Sequence, residues 1–298
     1  RGKNTIKKMF QSADVALYEA KHKTDGFVIY DESIDKHTLE RLALSSEFSG
    51  AIRDHQLCVH YQPKIDLSTD EVLGFEALVR WQHPTLGLLY PDRFIQLAEM
   101  SDSIHYLTKA VLESSLSQQK KWREAGHDYS IAVNLSVRNL NDNRCFELLE
   151  RLLSEYETEA HMLELEITET ALMQDPDGAI LLLNKISQLG VKLSIDDFGT
   201  GYSSLSYLRR LPIDTLKIDR VFVKDMVSDE QDAIIVKSTI GLSHNLGLRV
   251  VAEGVEDEQT LTALKKMGCD QAQGYYISKP LAWSEMEQWL YSKNKPWI

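Results

Sequence analysis

Short apolar runs alternate with longer stretches in which apolar positions recur every three or four residues, from about residue 57 almost to the C-terminus. The short runs read as eight strands, at 58–63, 71–81, 129–136, 163–168, 192–197, 215–220, 249–254 and 272–276. From the second strand onward, helical patterns of useful length fill the gaps, for example 103–125, 177–189, 229–245 and 257–267. That alternation is what a parallel barrel with outer helices requires. The first gap is different. Only 65–70 separate strands one and two, far fewer than the dozen or so residues of a parallel crossover, so these two should pair as an antiparallel hairpin. The expected fold is α/β, an eight-stranded barrel with its first strand reversed.

A charged helix over 34–53 precedes the barrel. Further upstream, 11–23 place Ala13, Ala16, Leu17 and Ala20 on one helical face, and 27–30 read as a short strand. A helix and a strand do not make a domain, so the boundary is expected near Asp31. The chain begins at Arg1 rather than Met, which suggests a piece of a longer protein.

In barrels of this kind the working groups cluster where strands end and loops begin. The residues closing the apolar runs here are Glu76, Asn134, Glu166 and Glu169, the pair Asp196 and Asp197, Asp219, and Glu253 and Glu256. A single carboxylate at a strand end commonly caps the next helix. That reading strains when six strands converge on one rim and five of them bring acids, because close like charges repel unless they are protonated or neutralised. Hard divalent cations answer the problem. An oxygen-only donor set favours Mg²⁺ or Mn²⁺, and adjacent carboxylates such as Asp196 and Asp197 can bridge one ion and bind a second. Two such ions would suit hydrolysis of a phosphodiester.

Lys217 is the one cation among these strand-end positions, two residues before Asp219 and therefore on the same strand face. It either balances the carboxylates or holds the attacking water or a phosphate oxygen, and the second role is favoured. Arg80, four residues after Glu76, shares that strand's face and suits a substrate phosphate, or else pairs with a carboxylate. The segment 197–205, DFGTGYSSL, is rich in small residues and suits a mobile loop beside the acidic pair.

Composition narrows the ligand. With 43% hydrophobic residues the chain builds a real core, and Lys plus Arg of 33 against Asp plus Glu of 45 gives a net charge of −12. That balance, with aromatic residues scattered rather than interleaved with basic ones, argues against polymeric nucleic acid. Three widely separated cysteines suggest neither a disulfide framework nor a zinc site, and a reducing cytoplasm is expected. No apolar run approaches the roughly 20 residues of a membrane helix, so no membrane contact is expected of this piece. Any anchor of a longer parent would lie elsewhere. The nine histidines form no HxH or HExxH pair, and no histidine ligand is proposed.

These residues resemble the EAL-domain cyclic di-GMP phosphodiesterases, named for the tripeptide that stands here as Glu76-Ala77-Leu78. The likeness runs from about 38 to 292 through YQPKIDL, GFEALVRWQHP, VNLS, ELEITET, IDDFGTGYSSL, LKIDR, VVAEGVE and AQGYYISKP. It implies a modified TIM barrel over 32–298 that linearises cyclic di-GMP to pGpG with two Mg²⁺ or Mn²⁺ ions, and a homodimer. By the same likeness Glu76, Asn134, Glu166 and Asp196 correspond to ligands of one ion, and Asp196, Asp197 and Glu253 serve the other. Lys217 would hold the hydrolytic water, Glu253 resembles a general base, and Glu169 resembles the anchor of the 197–205 loop. Glu256, Asp219 and Gln273 correspond to supporting residues, and Gln62, Leu78 and Arg80 to substrate contacts. Residues 1–31, with ADVALYEAK, resemble the closing helix and strand of a GGDEF diguanylate cyclase domain plus linker, without that domain's signature. The competing expectation is a cyclic di-GMP receptor that binds without turnover.

Overall fold

The computed structural model describes residues 32–140, 142–173, 175–200 and 205–292, with four isolated positions before residue 32. The expected cyclase remnant at 1–31, with its helix and strand, lies outside the described residues. The chain divides into two compact units, one of Arg1–Gln56 and Trp81–Ser103, the other of Leu57–Arg80 and Ile104–Ile298.

The second unit carries the barrel. Its strands are β1 (Leu57–Asp66), β2 (Val72–His83, whose last three residues count with the first unit), β4 (Ser130–Asn134), β5 (Leu163–Thr168), β6 (Lys192–Phe198), β7 (Thr215–Ile218), β8 (Arg249–Ala252) and β9 (Gln271–Ala272), while β3 (Gly87–Leu89) belongs to the first unit. Neighbours run β1-β9-β8-β7-β6-β5-β4-β2, and β1 also pairs with β2, so the ring of eight closes. The links from β2 through β4 to β9 are parallel, whereas β1 meets β9 antiparallel, with Ile65 opposite Ala272.

The reversed first strand follows from the turn after it. Asp66 accepts hydrogen bonds from the backbone of Ser68 (2.8 Å) and Thr69 (3.1 Å), and Asp70 adopts φ 61°. Asp66 N then bonds to Glu71 O at 2.9 Å, closing a hairpin too tight for a parallel return.

Two expectations needed adjustment. The last strand spans two residues rather than 272–276, because Gly274 passes so close to the Val255 backbone that a Cβ there would collide with it. Gln273 still bonds across the seam, its N to Ala252 O (2.9 Å) and its O to Val255 N (3.1 Å). The short β3 was not expected. It pairs with Trp81, Gln82 and His83 at the end of β2, and three residues are too few to display an alternation.

Period-two alternation sorts the strand residues. Leu165 and Ile167, Leu193 and Ile195, and Leu216 and Ile218 are buried on one face, while Glu166, Ser194, Asp196 and Lys217 take the intervening positions. The barrel interior is therefore polar and charged, where barrels are ordinarily filled with branched apolar residues. An aromatic cluster of Tyr61, Phe75, Trp122, Tyr129 and Trp283 packs the same unit, with ring centroids of Trp122 and Trp283 at 4.9 Å.

In the first unit, the helix Glu32–Arg53 buries Leu44, Phe48 and Ala51. Phe48 packs against Trp81 (5.4 Å) and Phe94 (5.6 Å), and Glu47 meets His83 Nε2 at 2.7 Å. The Trp81 indole donates to Gln56 Oε1 at 3.0 Å, fixing the end of β2.

Candidate active site

All the residues of the site belong to the barrel unit, on β1, β2 and β4 to β8 or just after these strands or β9. Register sets their levels. Asn134 lies opposite Glu166, and Thr168 opposite Asp196, so the ends of β4, β5 and β6 bring their polar side chains to one rim.

Lys217 is the centre of the arrangement. Its side chain is fully buried, and Nζ stands 2.6 Å from Glu166 Oε2, 2.6 Å from Glu253 Oε1, 3.2 Å from Asp196 Oδ1 and 3.8 Å from Glu76 Oε2. Burial alone would lower the ammonium's pKa, but Asp196, Glu166, Glu253 and Glu76 together hold it well above its ordinary value. One ammonium does not satisfy four carboxylates. Burial, then Glu76, pushes Glu166 well above the usual carboxylate range, and burial with Asp196 and Glu76 pushes Glu253 up to about 8. Glu76 goes the other way despite its burial. Lys217 and two amide donors lower it, namely Gln273 Nε2 at 2.6 Å and Asn134 Nδ2 at 2.7 Å.

Asp196 and Asp197 are adjacent, and simple alternation would send them to opposite faces. The structure brings both to the same mouth. The β6–β7 register shifts between Ile195 and Phe198, and Asp197 takes φ 55°, a left-handed conformation that Asp tolerates better than most residues. Carboxylate oxygens of Asp196, Asp197 and Glu253 consequently lie within 4.8 Å of one another, all partly open to solvent. Burial, the neighbouring Asp196 and a side-chain hydrogen bond with Asp219 raise Asp197 to about 7. Asp219 also caps the short helix Arg220–Val223, accepting from Val221 N at 2.6 Å.

Glu169 is buried, and its Oε2 accepts from Gly199 N at 2.9 Å, tying the segment after β5 to the loop after β6. Residues 201–204 of that loop lie outside the described residues. Gln273 Nε2 also reaches Gln62 Oε1 at 3.0 Å, and Gln62 donates to Ser278 O at 3.0 Å, so these two amides form a buried chain leading to Glu76. Leu78 is half-buried, and Arg80 is buried with Nη1 donating to Val79 O at 2.8 Å. Glu256 is exposed and takes no part in the Lys217 ion pairs.

Two members were not anticipated. Lys64, on β1, is buried with Nζ at 2.5 Å from Glu164 Oε2 and 3.4 Å from Glu166 Oε1. The signal was available, since Lys64 follows Gln62 by two residues and Glu164 precedes Glu166 by two, which puts each on its partner's strand face. Among the described residues, Glu76, Glu164, Glu166, Asp196 and Glu253 are ion-paired with Lys64 and Lys217, and Asp197 adds a further carboxylate, so these acids outnumber the ammoniums. Carboxylate and amide oxygens are hard donors, and an acidic excess of this kind suits hard divalent cations.

The EAL domain family matches residues 45–280 of this sequence. The chain belongs to that family. The bifunctional diguanylate cyclase/cyclic di-GMP phosphodiesterase MucR of Pseudomonas aeruginosa is 39% identical over 272 residues, covering 91% of this chain and 40% of MucR. The cyclic di-GMP phosphodiesterase NbdA of the same organism is 42% identical, covering 95% of this chain and 36% of NbdA. This EAL chain therefore spans about two fifths of the length of these relatives. Among solved structures, a PaMucR phosphodiesterase in complex with c-di-GMP superposes with a TM-score of 0.79 at 39% identity, covering 82% of this chain and 99% of that one.

Proposed function

We propose that this EAL domain hydrolyses cyclic di-GMP to linear pGpG in a metal-dependent, two-ion reaction that serves bacterial second-messenger signalling. The observation that carries the reading is the convergence of Glu76, Glu166, Asp196 and Glu253 on one buried ammonium, that of Lys217. Support comes from relatives named as cyclic di-GMP phosphodiesterases at about 40% identity.

Glu76, Asn134, Glu166 and Asp196 would hold one ion, and Asp196, Asp197 and Glu253 the other. Bound there, Mg²⁺ or Mn²⁺ would supply Lewis acidity and a water acidic enough to attack near neutral pH. The chain's own residues do the rest. Lys217 orients the attacking water and damps the repulsion among the carboxylates. Glu253, 2.6 Å from the Lys217 ammonium, is the group suited to take up and return a proton beside the attacking water. Gln273 and Asn134 hold both oxygens of Glu76 in place. Gln62, Leu78 and Arg80 would contact the substrate, Arg80 through a phosphate. Glu169 fixes the start of the loop after β6 through Gly199.

We further read 32–298 as the EAL domain of a tandem protein acting in the cytoplasm as a homodimer, with 1–31 the end of a cyclase domain. The greater length of its relatives and MucR's bifunctional name support the tandem arrangement. The test is hydrolysis of cyclic di-GMP by the purified chain with Mg²⁺, Mn²⁺ or EDTA, separating substrate from pGpG. Metal-dependent pGpG formation is expected. Tight binding with no turnover under every condition would replace the enzyme with a receptor.

A further inference from the structure

We infer that Lys64 is a positioning residue for Glu166, with Glu164 as the counter-charge that lets it work without adding net charge to the site. The inference rests on the proposed metal-dependent hydrolysis. The geometry is specific. Glu166 is held at both ends of its carboxylate, Oε2 by Lys217 Nζ at 2.6 Å and Oε1 by Lys64 Nζ at 3.4 Å. The two ammoniums come from β7 and from β1, strands that do not pair with each other or with β5, so they fix the carboxylate plane from two separate parts of the barrel wall. Lys64 belongs to the reversed strand, and it reaches Glu166 only because that strand closes the ring.

Stability alone does not explain the pair. Lys64 is 2% exposed and Glu164 13%, and an apolar pair of the same volume commonly serves a core as well or better. Lys64 and Glu164 add no net charge to the site, while the nearer ammonium of Lys64 favours the ionised Glu166 and fixes its direction. Groups that orient a ligand from behind are commonly worth about 10–100-fold in metal affinity or activity.

The experiment compares the wild-type chain with Lys64→Met/Glu164→Leu and with Glu164→Gln. The probe is Mn²⁺ alone, titrated by calorimetry, followed by cyclic di-GMP hydrolysis as a function of Mn²⁺ concentration. The double variant should melt in EDTA at or above the wild-type temperature, bind Mn²⁺ about 10–100-fold more weakly, and recover most of its kcat at saturating Mn²⁺. Glu164→Gln, which leaves an uncompensated ammonium against Glu166, should weaken Mn²⁺ in the same direction. Wild-type Mn²⁺ affinity in both variants overturns the inference while leaving the proposed hydrolysis intact. A double variant that no longer folds also overturns it, because the pair would then be holding the barrel rather than Glu166. A wild-type chain that neither binds Mn²⁺ nor turns over overturns both readings.

Discussion

Replacing Lys217 with Met keeps most of the side chain's volume and removes only its charge, in a place where four carboxylates lie within 3.8 Å of the ammonium. Removing one partner from a buried ion pair leaves uncompensated charge and costs about 3–5 kcal/mol. For a chain of this size that corresponds to a drop of roughly 5–15 °C in melting temperature in EDTA. The carboxylates can escape by taking up protons, so the drop should be larger at pH 8.5 than at pH 6. It should shrink when Mn²⁺ is added, because the cations supply the charge that Lys217 supplied. The catalytic consequence has the opposite relation to metal. A group that orients the attacking water and assists its proton transfer contributes about 10²–10⁴-fold, so kcat should fall by that factor at saturating Mn²⁺ while KM for cyclic di-GMP stays close to wild type. Melting curves at two pH values with and without Mn²⁺, together with kcat at saturating metal, read all of this out. The reasoning fails if the melting temperature falls equally with and without Mn²⁺, if Mn²⁺ affinity collapses, or if kcat is unchanged.

Other consequences follow from the same geometry. Glu253 and Asp197, raised to about 8 and about 7, bind protons in the metal-free fold that the unfolded chain releases, so metal-free stability should fall as pH rises from about 4 toward 8. Metal binding at pH 7 should accordingly release about one to two protons, measurable as buffer-dependent enthalpies in calorimetry, and none released would mean these carboxylates are already ionised. Glu76→Ala strips an acceptor from both Asn134 and Gln273 along with a proposed metal ligand, and turnover should fall by more than the 10–100-fold of an outer-shell change while circular dichroism stays native. Glu169→Ala should lower kcat/KM with Mn²⁺ affinity kept, since the Gly199 anchor is lost, and weaker Mn²⁺ binding would instead make Glu169 part of the metal site. Gly274→Ala drives a methyl into the Val255 backbone and should destabilise by about 1–3 kcal/mol in a denaturant melt.

The barrel was legible because its strands read as short apolar runs separated by helical patterns, and because the short gap at 65–70 admits only a hairpin. Strand alternation misleads at Asp196 and Asp197, where a register shift and a left-handed backbone bring neighbours to one side. No periodicity argument finds a bulge. The convergence of those two acids with Glu253 came from the resemblance and was not open to derivation from spacing. Lys64 and Glu164 are the reverse case. Alternation places both inside the barrel, but a search confined to strand ends passes over the layer beneath.

That deeper layer changes how the charge of the site is understood. A rim of carboxylates open to water could tolerate its own repulsion through solvation and counterions. Here Glu166 and Lys217 are fully buried and Glu76 nearly so, and the interior supplies two ammoniums for six acids. Protons are the only neutralising species the chain itself can recruit, and the upward shifts of Glu166, Glu253 and Asp197 are that recruitment. Each shift disappears once an external cation takes the proton's place. The fold therefore holds its carboxylates in a state of unmet charge, which a pair of divalent ions is expected to meet and a single one is not. Hence one ion per chain at saturation in the Mn²⁺ titration would contradict the charge argument, whereas two would bear it out.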